Sequence, residues 1–114
     1  MKVGKDPNIF LQHILENILK IEVGIGDMSE VEFSQNVDMQ DATLRRLEVI
    51  GEAVRNIPDS FRATHPQIPW KKIAGLRDML IHEYFGVDMG LVWKVVDKDI
   101  PKLKKQVTNL LKEI

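Results

Sequence analysis

Apolar residues recur along this chain at steps of three and four, the spacing of a helix that buries one face. Ile14, Ile18, Ile21 and Ile25 make the first such stripe. Ahead of it, Asp6 supplies a side-chain acceptor for the free N–H groups of a first turn, and Pro7 has the fixed φ that suits the opening helical position. Gly24, Gly26 and Asp27 stop this helix. A second, longer helix is expected from about Asn36 to Ile57. It carries Leu44, Leu47, Ile50, Val54 and Ile57 on one face and is ended by Pro58. Gly51 in its middle costs roughly 1 kcal/mol relative to alanine and marks a point of close helix packing. A short third segment runs from Pro58 to His65 with Phe61 as its anchor. Pro69 and Trp70 open a fourth helix, with Ile73, Leu76 and Leu80 toward the core and Gly86 as its C-terminal cap. Asp88 caps the last helix, where Val96, Ile100, Leu103, Val107, Leu110 and Ile114 form a heptad-like seam that calls for a partner helix. Pro101 marks a kink or a new segment there, because it has no N–H to donate.

No run alternates polar and apolar residues long enough to make a strand. The expected fold is therefore all-α, an up-down bundle of four or five helices forming a single domain over residues 1–114. The long helices point to a homodimer. With 114 residues, 44% of them apolar and 29% charged, the chain can bury a core and should have a radius of gyration near ~13 Å. Sixteen basic against seventeen acidic residues give a net charge of −1, so any attraction for a polyanion must be local. The absence of cysteine excludes a disulfide framework, a thiolate zinc site and a cysteine nucleophile, and fits a cytoplasmic protein. No apolar run is long enough for a signal peptide or a membrane span.

Several features have ordinary readings. Lys102, Lys104 and Lys105 read as a solvated helix face. Gly24-Ile25-Gly26 is no nucleotide-binding loop, because no strand precedes it and Ser29 stands in place of a third glycine. His13 and Glu16 have the spacing of two ligands on a helix, but two ligands do not close a metal site. Neither a metal nor a cofactor is expected.

Chemistry concentrates instead between Gly75 and Asp88, where Arg77, Asp78, His82, Glu83 and Tyr84 gather near one helix end. Arg77-x4-His82-x-Tyr84 followed by Phe85-Gly86-Val87-Asp88, with Trp70-Lys71-Lys72-Ile73 before it and Ile50-Gly51-Glu52-Ala53 earlier, closely resembles the HepT-like branch of the HEPN superfamily of prokaryotic toxins. The resemblance spans nearly the whole chain. It implies a dimeric helical bundle, metal-independent RNA cleavage by paired Arg and His residues, and a partner nucleotidyltransferase antitoxin of the MNT type that adenylylates the motif tyrosine, here Tyr84.

The residue types suit that chemistry. Cutting RNA without a metal needs a base for the 2′-hydroxyl proton, an acid for the leaving oxygen and a cation for the phosphate. An imidazole, with an ordinary pKa near ~6.5, can serve as base or acid at His82, and the fixed charge of Arg77 can hold phosphate oxygens through two parallel donors. In a two-fold dimer one His82 could act as base and its mate as acid. Asp78, one turn before His82, can fix the imidazole tautomer. At 100° per residue, however, His82 lies about 140° from Arg77. Either the long Arg77 side chain curls round the helix or a second subunit supplies it. Lys71, Lys72 and Lys94 are candidates to line an RNA path, with ordinary solvated helix lysines as the equal alternative. The competing reading is a non-catalytic helical module that dimerises and binds a nucleotidyltransferase.

Overall fold

The computed structural model describes residues 6–82 and 88–113, with the side chains at 77 and 79–82 outside that description. Helix α1, Pro7–Ile25, begins as its sequence dictates. An Asp6 carboxylate oxygen accepts the Asn8 N–H at 2.9 Å and Pro7 opens the first turn. Leu11, Ile14, Ile18 and Ile21 are fully buried along one face. Gly26, at φ +54°, ends the helix in a backbone region that side chains rarely adopt. Gly24 has a different reason: a Cβ there would come within 3.2 Å of both the Arg46 guanidinium and the Met39 sulfur. The two glycines thus let α1 stop and its neighbour lean in.

A short helix α2, Glu30–Ser34, was not expected from apolar periodicity, being too brief to show one. Its signal is a reciprocal cap. The Ser29 hydroxyl accepts the Glu32 N–H at 3.1 Å, and the Glu32 carboxylate accepts the Ser29 N–H at 3.0 Å. The Ser29 N–H, and secondarily its side chain, hold the Glu32 carboxyl below the usual carboxylate range. Because the folded value is the lowered one, this contribution is present at neutral pH and fades as pH falls through the acid range. The cap seats Phe33, almost fully buried, in the core against Trp93.

Helix α3, Val37–Asn56, is capped by Asn36 and ends at Ile57, before Pro58, as expected. A single turn α4, Asp59–Ala63, leads to α5, Trp70–His82. Gly86, expected to cap α5, lies outside the described residues. After Asp88, whose carboxylate accepts the Gly90 and Leu91 N–H groups, α6 (Met89–Lys94), a π-helical turn (Val95–Asp99) and α7 (Ile100–Glu113) form one continuous rod. Helix α3 sits between α1 and α5; the rod lies on α1 through α7, and α2 touches α3 and α6. The bundle is elongated, 50 × 29 × 22 Å, with a radius of gyration of 14.5 Å rather than the ~13 Å of a sphere-like domain. The described residues form helices and no strands, with more separate helices than the four or five expected.

The rod departs from the heptad-like reading in one instructive way. Its buried positions are Val92, Val95, Ile100, Leu103, Val107 and Leu110, so a step of five separates Val95 from Ile100. Val95, not Val96, lies in the core. The wider turn, in which the Val95 carbonyl accepts the Ile100 N–H, inserts one residue into the α-helical register. Without it Asp99 would fall on the buried stripe. Pro101, which cannot donate and whose ring would crowd the carbonyl four residues back in a regular helix, follows directly. The seam finds its partner within the chain, in α1.

Candidate nucleic-acid groove and motif helix

Helix α5 carries the motif, and its first turn is firmly anchored. The Trp70 indole N–H donates to the His65 carbonyl at 2.9 Å, while the Phe61 ring stacks on the His65 ring at 4.4 Å and meets the Trp70 ring edge-on at 6.4 Å. Ile73 and Leu76 are buried below. The expected role of Phe61 as anchor of the short segment is therefore met.

From Trp70 to His82 the backbone is an unbroken α-helix. Two consequences follow from its register. Positions 71, 75, 78 and 82 form one stripe spanning about 16 Å of helix axis, whereas position 77 lies about 140° from position 82. Asp78 and His82 share a stripe; Arg77 and His82 of one chain do not. The side chains of Arg77 and His82, and Tyr84 as a whole, lie outside the described residues.

Asp78 is half-buried, and its carboxylate accepts from the Arg55 guanidinium on α3. Sequence reasoning missed Arg55, since nothing in linear spacing connects residues 55 and 78. Both side chains are nearly half exposed, 41% and 46%, so the pair contributes at most about 1 kcal/mol to stability. Its importance is positional: it ties the motif stripe of α5 to the end of α3.

On the other side of the stripe, the structure brings the expected lysines together. Lys71 and Lys72 of α5 face Lys94 and Lys98 of the rod across an open groove of about 520 Å³, floored by Gly75, Leu76, Leu91 and Val95. Among its lining residues the single carboxylate is that of Asp99, 3.4 Å from the Lys72 ammonium. A chain of net charge −1 thus concentrates positive charge at one place. Lys98 was not anticipated. It borders the groove from within the π-helical turn, which a 3.6-residue reading of the sequence does not foresee. Next to the groove, a narrower cleft of about 220 Å³ runs between α5 and the rod.

Among the described residues, no group of three or more His, Asp or Glu side chains could hold a metal ion, and no helix is long and apolar enough to cross a membrane. His13 stands apart from the motif, edge-on to Phe10.

A lysine-lined groove thus runs beside a helix stripe that carries Asp78 and, one turn on, position 82. The chain belongs to the ribonuclease HepT-like family, whose family model matches residues 14–110. It is similar to a protein of Methanocaldococcus jannaschii named "Gamma-glutamylcyclotransferase and putative RNase", at 50% identity over 110 residues; the match covers 96% of this chain and half of that longer protein. It is 43% identical to a "Putative RNase" of Caldanaerobacter subterraneus subsp. tengcongensis, covering 96% of this chain and 97% of the relative. With the "Probable ribonuclease HepT" of Thermococcus cleftensis it shares 45% identity, over 90% of this chain and 94% of the relative. No solved structure matches the chain.

Proposed function

We propose that the protein is a metal-independent endoribonuclease, the cytoplasmic toxin of a toxin–antitoxin pair, acting as a homodimer. The observation that carries this reading is the lysine groove alongside the motif helix of a HepT-like ribonuclease chain. In the proposed reaction an imidazole of the His82 pair takes the proton of the RNA 2′-hydroxyl, whose oxygen attacks the adjacent phosphorus. The bond from phosphorus to the 5′-oxygen breaks, and that oxygen takes a proton from the mate imidazole. Arg77 steadies the charge on the phosphate oxygens. Asp78, held by Arg55, sets the orientation of His82 one turn away. Since one straight helix separates positions 77 and 82, the arginine for each His82 comes from the partner subunit. Lys71, Lys72, Lys94 and Lys98 hold the strand by its phosphates.

The groove makes a measurable claim. For single strands, each phosphate contact adds about 0.7 to the slope of log affinity against log salt. Changing all four lysines to glutamine is expected to flatten that slope by about 3. Titrations of a short labelled RNA at several salt concentrations would read it, and an unchanged slope would place the RNA elsewhere.

Neutralisation would act on the same motif. An MNT-type nucleotidyltransferase antitoxin would attach adenylyl groups to Tyr84, adding bulk and negative charge near the phosphate-binding cation and repelling RNA. Co-expression with such an enzyme is expected to raise the chain's mass by whole adenylyl units, with fragments locating them on Tyr84. A Tyr84→Phe chain that carries the same adduct would refute the assignment.

A further inference from the structure

We propose that the cleft between α5 and the rod is a guanine subsite for single-stranded RNA, an inference that rests on the ribonuclease reading above. The cleft exists because of how the helices pack. Helix α5 lies along α3, the rod lies along α1, and the space between α5 and the rod is left open. Its walls are aliphatic, from Ile73, Leu76, Val95 and Leu103, all buried in the core. Its polar lining comes from Lys72 and Asp99, 3.4 Å from one another, with Lys102 and Gln106. At about 220 Å³ it falls below the roughly 300–1,000 Å³ of pockets that enclose drug-sized ligands, and suits one planar base rather than a whole nucleotide.

The lysine groove and this cleft are contiguous. Both are lined by Lys72, Leu76, Val95 and Asp99, so the Lys72–Asp99 pair stands at their junction. A strand held by phosphates on the lysines would present its bases to this opening. The π-helical turn is what sets the carboxylate there: the extra residue turns Ile100 into the core and leaves Asp99 at the rim, 45% exposed. Single-stranded RNA is commonly read by splayed bases recognised on their Watson–Crick edges. Of the four RNA bases, guanine alone offers two adjacent N–H donors beside an acceptor. Its N1–H and N2–H would donate to the two oxygens of Asp99, a charge-assisted bidentate pair, while its O6 accepts from the Lys72 ammonium. Adenine, cytosine and uracil each leave one carboxylate oxygen without a donor. The aliphatic walls supply the apolar faces between which the ring lies. The Lys72–Asp99 pair is solvent-exposed on both sides, so opening it to admit a base costs little.

Fluorescence anisotropy on the full chain tests this, using short oligoadenylates with 2′-O-methyl riboses so that none is cut. One carries a single central guanosine, one an inosine at that position, and one adenosine throughout. The guanosine strand is expected to bind about tenfold more tightly than the all-adenosine strand, with inosine, which lacks the N2 donor, between them. Asp99→Asn, which puts a donor where an acceptor stood, is expected to collapse the difference. Equal affinity of wild-type protein for the three strands would overturn the subsite and leave the RNA path standing. Failure to bind any strand would overturn both. Displacement of the guanosine strand by free GMP at matching concentration would make the cleft a mononucleotide site and overturn its role in reading a strand.

Discussion

Replacing His82 with alanine is expected to slow RNA cleavage by roughly 100- to 10,000-fold, the range over which a positioned proton-transfer group acts. Position 82 closes the described span of α5, and alanine is the best helix former, so the helical content should be preserved. Circular dichroism checks that point, and a cleavage assay reads the rate. In cells, expression of the wild-type chain should arrest growth and the variant should relieve it; equal growth would favour the non-catalytic module. The register of α5 extends the experiment. Because positions 77 and 82 lie about 140° apart on one unbroken helix, a site that needs both groups is more readily built across two chains than within one. An Arg77→Ala chain and a His82→Ala chain, each strongly impaired alone, should then regain part of the activity when mixed, since the heterodimer keeps one of the two imidazoles that the full reaction uses. Their heterodimer contains one site with an intact His82 from the first chain and an intact Arg77 from the second. If the arginine acted in its own chain, no site in that heterodimer would be complete, and mixing would restore nothing.

The parts of the fold that were readable in the sequence are those set by local chemistry. Asp6 with Pro7 and Asp88 each place an acceptor where a first helical turn has free N–H groups, and each caps the helix expected of it; Asn36, where the second long helix was expected to begin, proves to be its cap. The isoleucine stripe of α1 and the Leu47, Ile50 and Val54 face of α3 are buried as periodicity requires. What escaped was either too short or too irregular for periodicity. Helix α2 spans five residues, and only the Ser29-x-x-Glu32 spacing announced it. The π-helical turn adds a residue that no fixed repeat accommodates, which shifted Val96 out of the expected seam and concealed Lys98 beside the groove. For the site, sequence supplied the residue types, and Lys71, Lys72 and Lys94 do line one groove. It could not supply Arg55, since that contact depends on how α3 and α5 dock two residues 23 positions apart in sequence.

The same turn leads to a contrast between two single-residue deletions in one rod. Deleting Lys105, in regular helix, would rotate everything after it by about 100° and carry Val107 and Leu110, both buried, off the α1 interface. Each such side chain contributes about 1.5–3 kcal/mol through burial, so a loss of roughly 3–6 kcal/mol is expected, a large share of the stability of a domain this size. Deleting Lys98 acts in the opposite sense. It converts the step of five between Val95 and Ile100 into a step of four, which an α-helix accommodates with both residues still inward. The obstacle left is Pro101, whose ring would then meet the Val96 carbonyl in a regular turn at a cost of about 3 kcal/mol. Combining the Lys98 deletion with Pro101→Ala should therefore bring stability to within about 1 kcal/mol of the Pro101→Ala chain alone, whereas the Lys105 deletion in that background should not recover. Urea denaturation midpoints measure both. Equal losses from the two deletions would mean that the wide turn is not what keeps the two halves of the rod in register.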